Sequence, residues 1–158
     1  MDNIKFIDIH AHILPGVDDG PPLMEDTLKL LKIAYEQGIG TIIATPHYIA
    51  GKNNVTVEEL EHIRDRVQNE VSKIYGDFKI LLGNELFYSD SVIDDLQAGK
   101  ALTLAGSNYV LVEFMVTVDY KKLFRAVADL NRAGFTPILA HVERYQCLRH
   151  KEELISDL

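Results

Sequence analysis

Short β-branched and apolar runs alternate along this chain with longer stretches in which apolar residues recur every three or four positions. Runs of the first kind fit strands buried in a sheet, and those of the second fit amphipathic helices. Strands are predicted at Lys5–His10, Thr41–Thr45, Lys79–Glu85, Tyr109–Phe114 and Thr136–His141. Between the first two, Met24, Leu28, Leu31 and Tyr35 mark a helix that Pro21 and Pro22 open and Gly38 ends. Thr56 and Glu59 stand at capping-box spacing ahead of Leu60, Ile63, Val67, Val71 and Ile74, which predicts a second helix. Asp119 caps a third, with Leu123, Val127 and Leu130 on its inner face and Gly134 at its end, and a shorter helix is predicted at Asp90–Leu96. Alternation of this kind belongs to βα units feeding a parallel sheet, whose right-handed crossovers coil in one direction around a barrel or spread in an open sheet. Apart from the loop Gly51–Asn54, no linker, repeat or low-complexity tract divides the sequence, so one domain over residues 1–158 is expected.

Composition narrows the functional classes. Sixteen Lys plus Arg against 24 Asp plus Glu leave a net charge of −8, which argues against a nucleic-acid partner. No apolar run reaches the ~18 residues of a membrane span, and Met1-Asp2-Asn3-Ile4-Lys5 does not read as a secretory leader; a cytoplasmic protein without membrane insertion is expected. The single cysteine, Cys147, rules out an intrachain disulfide and a thiolate zinc cluster, and the arginine spacing of a cysteine-phosphatase loop is missing around it. Metal chemistry in this chain therefore falls to histidine and carboxylate.

Four of the six histidines, His10, His12, His47 and His141, stand at or just past the carboxyl end of a predicted strand, and two more predicted strands end at Glu85 and Glu113. In barrels and open α/β sheets that edge is where sites are built. Alternation in Asp8-Ile9-His10-Ala11-His12 turns Asp8, His10 and His12 to one side, where two imidazoles converge and Asp8 is placed to orient a ring. Glu85 and Glu113 follow strongly apolar runs, where an unpaired carboxylate costs several kcal/mol and a cation offsets that cost. Two or three ions can share these nitrogen and oxygen donors, with Mn²⁺, Fe or Zn²⁺ suiting so many imidazoles better than Mg²⁺. The Asp18-Asp19 pair, soon after His12, reads as a further ligand source; His62 and His150 lie among charged residues and read as solvated.

Asp8-Ile9-His10-Ala11-His12-Ile13-Leu14-Pro15-Gly16-Val17-Asp18-Asp19-Gly20, Ala44-Thr45-Pro46-His47-Tyr48, Gly83-Asn84-Glu85 and Ile138-Leu139-Ala140-His141-Val142-Glu143-Arg144-Tyr145 together resemble the manganese-dependent protein-tyrosine phosphatases of bacterial capsular and exopolysaccharide gene clusters. These belong to the polymerase-and-histidinol-phosphatase (PHP) superfamily. The resemblance implies an α/β fold, a distorted (β/α)₇ TIM-like barrel. It implies metal ligands at His10, His12, Asp19, His47, Glu85, Glu113 and His141, holding two or three Mn²⁺ ions, and a phosphate-gripping Arg144. A hydroxide bridging two metals would attack the phosphorus, and the substrate would be the phosphotyrosine tail of a bacterial tyrosine kinase of polysaccharide assembly. The family's last motif, an aspartate and a histidine two residues apart, would fall beyond Leu158, so a barrel short of its last βα units is expected. The same ligands would also serve a small-molecule phosphoesterase of the histidinol-phosphatase kind, or a metal-binding remnant without catalysis. A homo-oligomer remains open.

Overall fold

The computed structural model describes residues 5–158. Residues 1–4, which carry most of the opening segment read above as no leader, lie outside it. In chain order the elements are β1 (Phe6–Ala11), α1 (Met24–Glu36), β2 (Ile39–Ala44), β3 (His47–Ile49), α2 (Val57–Ser72), β4 (Lys79–Leu82), β5 (Glu85–Phe87), α3 (Val92–Gln97), β6 (Tyr109–Glu113), α4 (Tyr120–Arg132), β7 (Thr136–Leu139) and α5 (Glu152–Ser156). Single 3-10 turns lie at Leu104–Gly106 and Val142–Arg144.

All pairings are parallel, in two sheets of order β1-β2-β4 and β3-β5-β6-β7. The pairs Ala44↔Leu82 and His47↔Glu85 keep one register across the junction, and Gly83 N–H donates to Ala44 C=O there at 2.9 Å. β2 with β3, and β4 with β5, are thus each one strand broken for two residues, at Thr45-Pro46 and Gly83-Asn84. Pro46 has no N–H to give the ladder. The result is a curved parallel wall in which each new strand lies beside the previous one. β1 and β7 flank it, and no pairing closes one onto the other among the described residues.

The first four helices form where the pattern placed them, and α5 had no counterpart in the sequence reading. The Thr56 side chain accepts from Glu59 N–H and the Glu59 carboxylate from Thr56 N–H, the reciprocal capping box. Asp119 caps α4 by accepting from Lys122 N–H at 2.9 Å. At α1 the prolines precede the helix by one residue, and Leu23 occupies the cap without a side-chain bond; Glu25 and Asp26 in the first turn favour that end electrostatically.

Burial follows from strand alternation. One side of the wall carries Ile42, Ala44 and Ile80 against Leu31 of α1 and Leu60, Val67 and Val71 of α2. Farther along, Val110 and Val112 pack against Leu123, Ala126 and Leu130 of α4. The other side carries a small plug of Ile43, Leu104, Leu111 and Ala140. Leu104 presses so closely on the sheet that a methyl group on Gly83 would stand 2.8 Å from its Cδ2. Farther along the same side, alternation brings His47, Glu85 and Glu113 to the carboxyl edge.

Candidate metal centre

Each side chain at that edge has a distinct local reason for its position. His10 and His12 end β1, whose pairing with β2 is irregular between Asp8 and Ala11. Thr45 holds this end, since its Oγ1 accepts from Ala11 N–H at 3.0 Å. His47 opens β3 and Glu85 opens β5, directly after the two strand breaks. Buried Asn84 fixes the second break: its amide donates to Pro46 C=O at 3.0 Å and its carbonyl accepts from Leu102 N–H at 2.8 Å. Glu113 ends β6, and His141 follows β7 with φ +52, in the left-handed region.

Glu85 is the hub. Its side chain is 0% exposed, and its Oε2 lies 3.2 Å from His10 Nε2, 3.0 Å from His12 Nε2 and 3.2 Å from His47 Nδ1. Its Oε1 lies 3.1 Å from His141 Nε2 without forming a hydrogen bond, so among the described residues a buried carboxylate oxygen is left without a donor. Burial alone would push Glu85 up. The hydrogen bonds from His10 and His12, with the charge of His10 and His47, hold it far below the usual carboxylate range instead. On the other side of the His12 ring, Nδ1 lies 2.7 Å from Asp18 Oδ2, and the Asp18 and Glu85 hydrogen bonds raise that imidazole to about 10.

Asp18 and Asp19, adjacent in sequence, have separate roles. The Asp18 side chain is 9% exposed and both its oxygens are engaged, Oδ1 by Gly20 N–H and Oδ2 by His47 N–H and the His12 ring. Asp19 is 75% exposed, with Oδ1 at 3.4 Å from His12 Nδ1 and 3.6 Å from His47 Nε2. Asp18 thus orients His12, a part the sequence assigned to Asp8; the Asp8 carboxylate instead accepts from His10 backbone N–H at 3.1 Å. The irregular end of β1 brings the His10 amide within reach of the Asp8 carboxylate.

All eight residues singled out by sequence line one cleft of about 490 Å³: His10, His12, Asp19, His47, Glu85, Glu113, His141 and Arg144. Arg144 also meets Glu143 at 3.5 Å, an exposed contact that contributes little. Three groups bring potential donor atoms within 4.8 Å of one another, namely His12 with Asp18, Asp19 and His47; His10 with His12 and Glu85; and His47 with Glu85 and Glu113. Overlapping imidazole and carboxylate sets around an oxygen that lacks a donor fit a cluster of divalent ions. Asn84 and Tyr145, both buried and both tied to backbone near the ligands, had no local signal in the sequence, because most of their partners lie far away along the chain.

Fold and site together define an α/β protein with a histidine- and carboxylate-lined pocket at the carboxyl edge of a parallel sheet. The chain belongs to the capsular polysaccharide synthesis CpsB/CapC family, which it matches over residues 6–158. Tyrosine-protein phosphatase CpsB of Streptococcus agalactiae is 32% identical over 152 residues, covering 96% of this chain and 63% of that protein. Tyrosine-protein phosphatase YwqE of Bacillus subtilis is likewise 32% identical over 152 residues, covering 96% of this chain and 60% of the relative. A crystal structure from work on YwqE from Bacillus subtilis and CpsB from Streptococcus pneumoniae, described as unique metal-dependent tyrosine phosphatases, superposes with a TM-score of 0.86 at 31% identity. It matches 96% of this chain and 63% of that one. The chain therefore spans 60–63% of the length of these relatives.

Proposed function

We propose that this chain carries the metal centre of a metal-dependent protein-tyrosine phosphatase, acting on the phosphotyrosine tail of a bacterial tyrosine kinase of capsule or exopolysaccharide assembly. The observation that carries the reading is the single cleft that gathers four imidazoles, three carboxylates and one guanidinium. His10, His12, Asp19, His47, Glu85, Glu113 and His141 are assigned as ligands of two or three ions, with Mn²⁺ first and Fe or Zn²⁺ as alternatives. When bound, such ions supply positive charge for the phosphoryl oxygens and make water a competent nucleophile at neutral pH. Arg144 contributes a planar fork that can donate two parallel N–H bonds to a phosphate. Asp18 keeps a proton on His12 Nδ1 and so leaves Nε2 free to ligate. A phenolate leaving group, with a conjugate acid of pKa about 10, has little need of a strong general acid.

The parallel wall with strands in sequential order supports reading residues 1–158 as one domain, part of a distorted (β/α)₇ barrel of the PHP type. No helix among the described residues is long and apolar enough to cross a membrane; the cytoplasm is assigned from the proposed kinase substrate.

Assaying the manganese-loaded protein on a phosphotyrosine peptide and on histidinol phosphate tests the function. Turnover of the peptide is expected, and Arg144→Ala should lower it by about 10²-fold with metal content unchanged. Preference for histidinol phosphate would move the assignment to a small-molecule phosphoesterase. Bound metal with no turnover of either substrate would leave a binding protein without catalysis.

A further inference from the structure

His141 and Glu113 come from neighbouring strands, and the way those strands part company is unusual. Ala140 N–H donates to Val112 C=O at 2.9 Å, the last direct rung between β6 and β7. The parallel pattern would next pair Phe114 N–H with Ala140 C=O. Neither group reaches the other. The Tyr145 hydroxyl stands in the rung instead, accepting from Phe114 N–H at 3.1 Å and donating to Ala140 C=O at 2.6 Å. One oxygen atom is thus spliced into the ladder between the residue after Glu113 and the residue before His141.

The phenol is firmly held. Tyr145 is 1% exposed, its ring meets Phe114 edge-on at 6.1 Å, and Phe114 stacks on Tyr88 at 5.0 Å. Burial pushes the hydroxyl up to about 12, so it keeps the proton it donates to Ala140 throughout the neutral range. Immediately beyond the spliced rung the backbone swings into the left-handed conformation at His141, which a residue with a Cβ adopts only when its surroundings enforce it. Arg144, the neighbour of Tyr145, lies in the 3-10 turn that follows.

We propose that Tyr145 is a positioning residue of the metal centre: its hydroxyl, inserted between the ends of β6 and β7, sets the separation of Glu113 from His141 and holds the His141 turn. The inference rests on the reading that these two residues ligate metal. Phenylalanine at position 145 keeps the ring and removes the inserted oxygen.

Titration of the parent and Tyr145→Phe with Mn²⁺, together with the visible spectrum of their Co²⁺ forms, tests it. The variant should bind Mn²⁺ about 10–100-fold more weakly, the range typical of removing a ligand's supporting partner, and its Co²⁺ band should shift. In a His141→Ala background the same substitution should cost no further affinity, because the side chain through which it acts is gone. Equal affinity and spectra in parent and variant would overturn the proposal, as would an undiminished loss in the His141→Ala background. A parent that takes up no metal would overturn the functional reading and this inference with it, whereas a metal-binding parent matched by Tyr145→Phe would overturn the inference alone. Should the variant fail to fold, amide exchange on the parent decides: Zn²⁺ should slow exchange of the Phe114 N–H, since coupling between the rung and the metal is reciprocal. Unchanged exchange would overturn it.

Discussion

Glu85 faces four imidazoles within 3.0–3.2 Å. His12 illustrates the consequence. With Asp18 on one nitrogen and Glu85 on the other, its imidazolium persists to about 10 instead of the ordinary 6.5. This contributes stability fully present below 6.5 and lost as pH rises through 10. Glu85 and Asp18 are held below their ordinary values, so their contribution is present above the usual carboxylate range and lost as pH falls through their lowered values. A metal needs the neutral ring, so uptake must expel the His12 proton. Affinity for Mn²⁺ is expected to weaken by roughly tenfold per pH unit below 10 for each proton displaced. Calorimetry in buffers of different ionisation heat would read that proton directly, and a pH-independent affinity would contradict this account. At this scale the sequence was informative where chemistry coincided with a strand end, as at His10, His47, Glu85 and His141. It could not divide Asp18 from Asp19, since one residue step in a turn decides which carboxylate points inward.

Among the elements, the two broken strands matter most. The periodic runs Thr41–Thr45 and Lys79–Glu85 were legible as strands, yet the two-residue interruptions, and the resumption at β3 and β5, depend on Asn84 bridging to Pro46 and Leu102, contacts that no local pattern shows. The capping box of α2, the Asp119 cap of α4 and the apolar faces of both were legible because those signals are local in the chain. Asn84→Ala would leave the partly buried Leu102 N–H unpaired and take one of two donors from Pro46 C=O, whose other is Glu85 N–H. A loss of about 1–3 kcal/mol in urea unfolding is expected, with weaker metal binding because Glu85 is the next residue. Full stability in the variant would show that backbone pairing alone holds the break.

On the scale of the whole molecule, the sequential parallel order followed from the alternation of element types, whereas closure depends on where the first and last strands end in space. Among the described residues the wall stays open. Among these residues β1 has no partner strand on one side, and on β1 Phe6 is 68% exposed and Ile7 62% exposed. An apolar strand edge of that kind is a template for other strands. Opposing this, every molecule carries −8, so like copies repel at long range. Salt shortens that repulsion to about 10 Å at 0.1 M while leaving strand pairing intact. The protein should therefore behave as a charge-stabilised colloid, its sedimentation coefficient rising with both concentration and ionic strength, and substituting Lys for Ile7 should flatten that rise. Sedimentation that ignores salt would mean the β1 edge is shielded in solution by something other than charge.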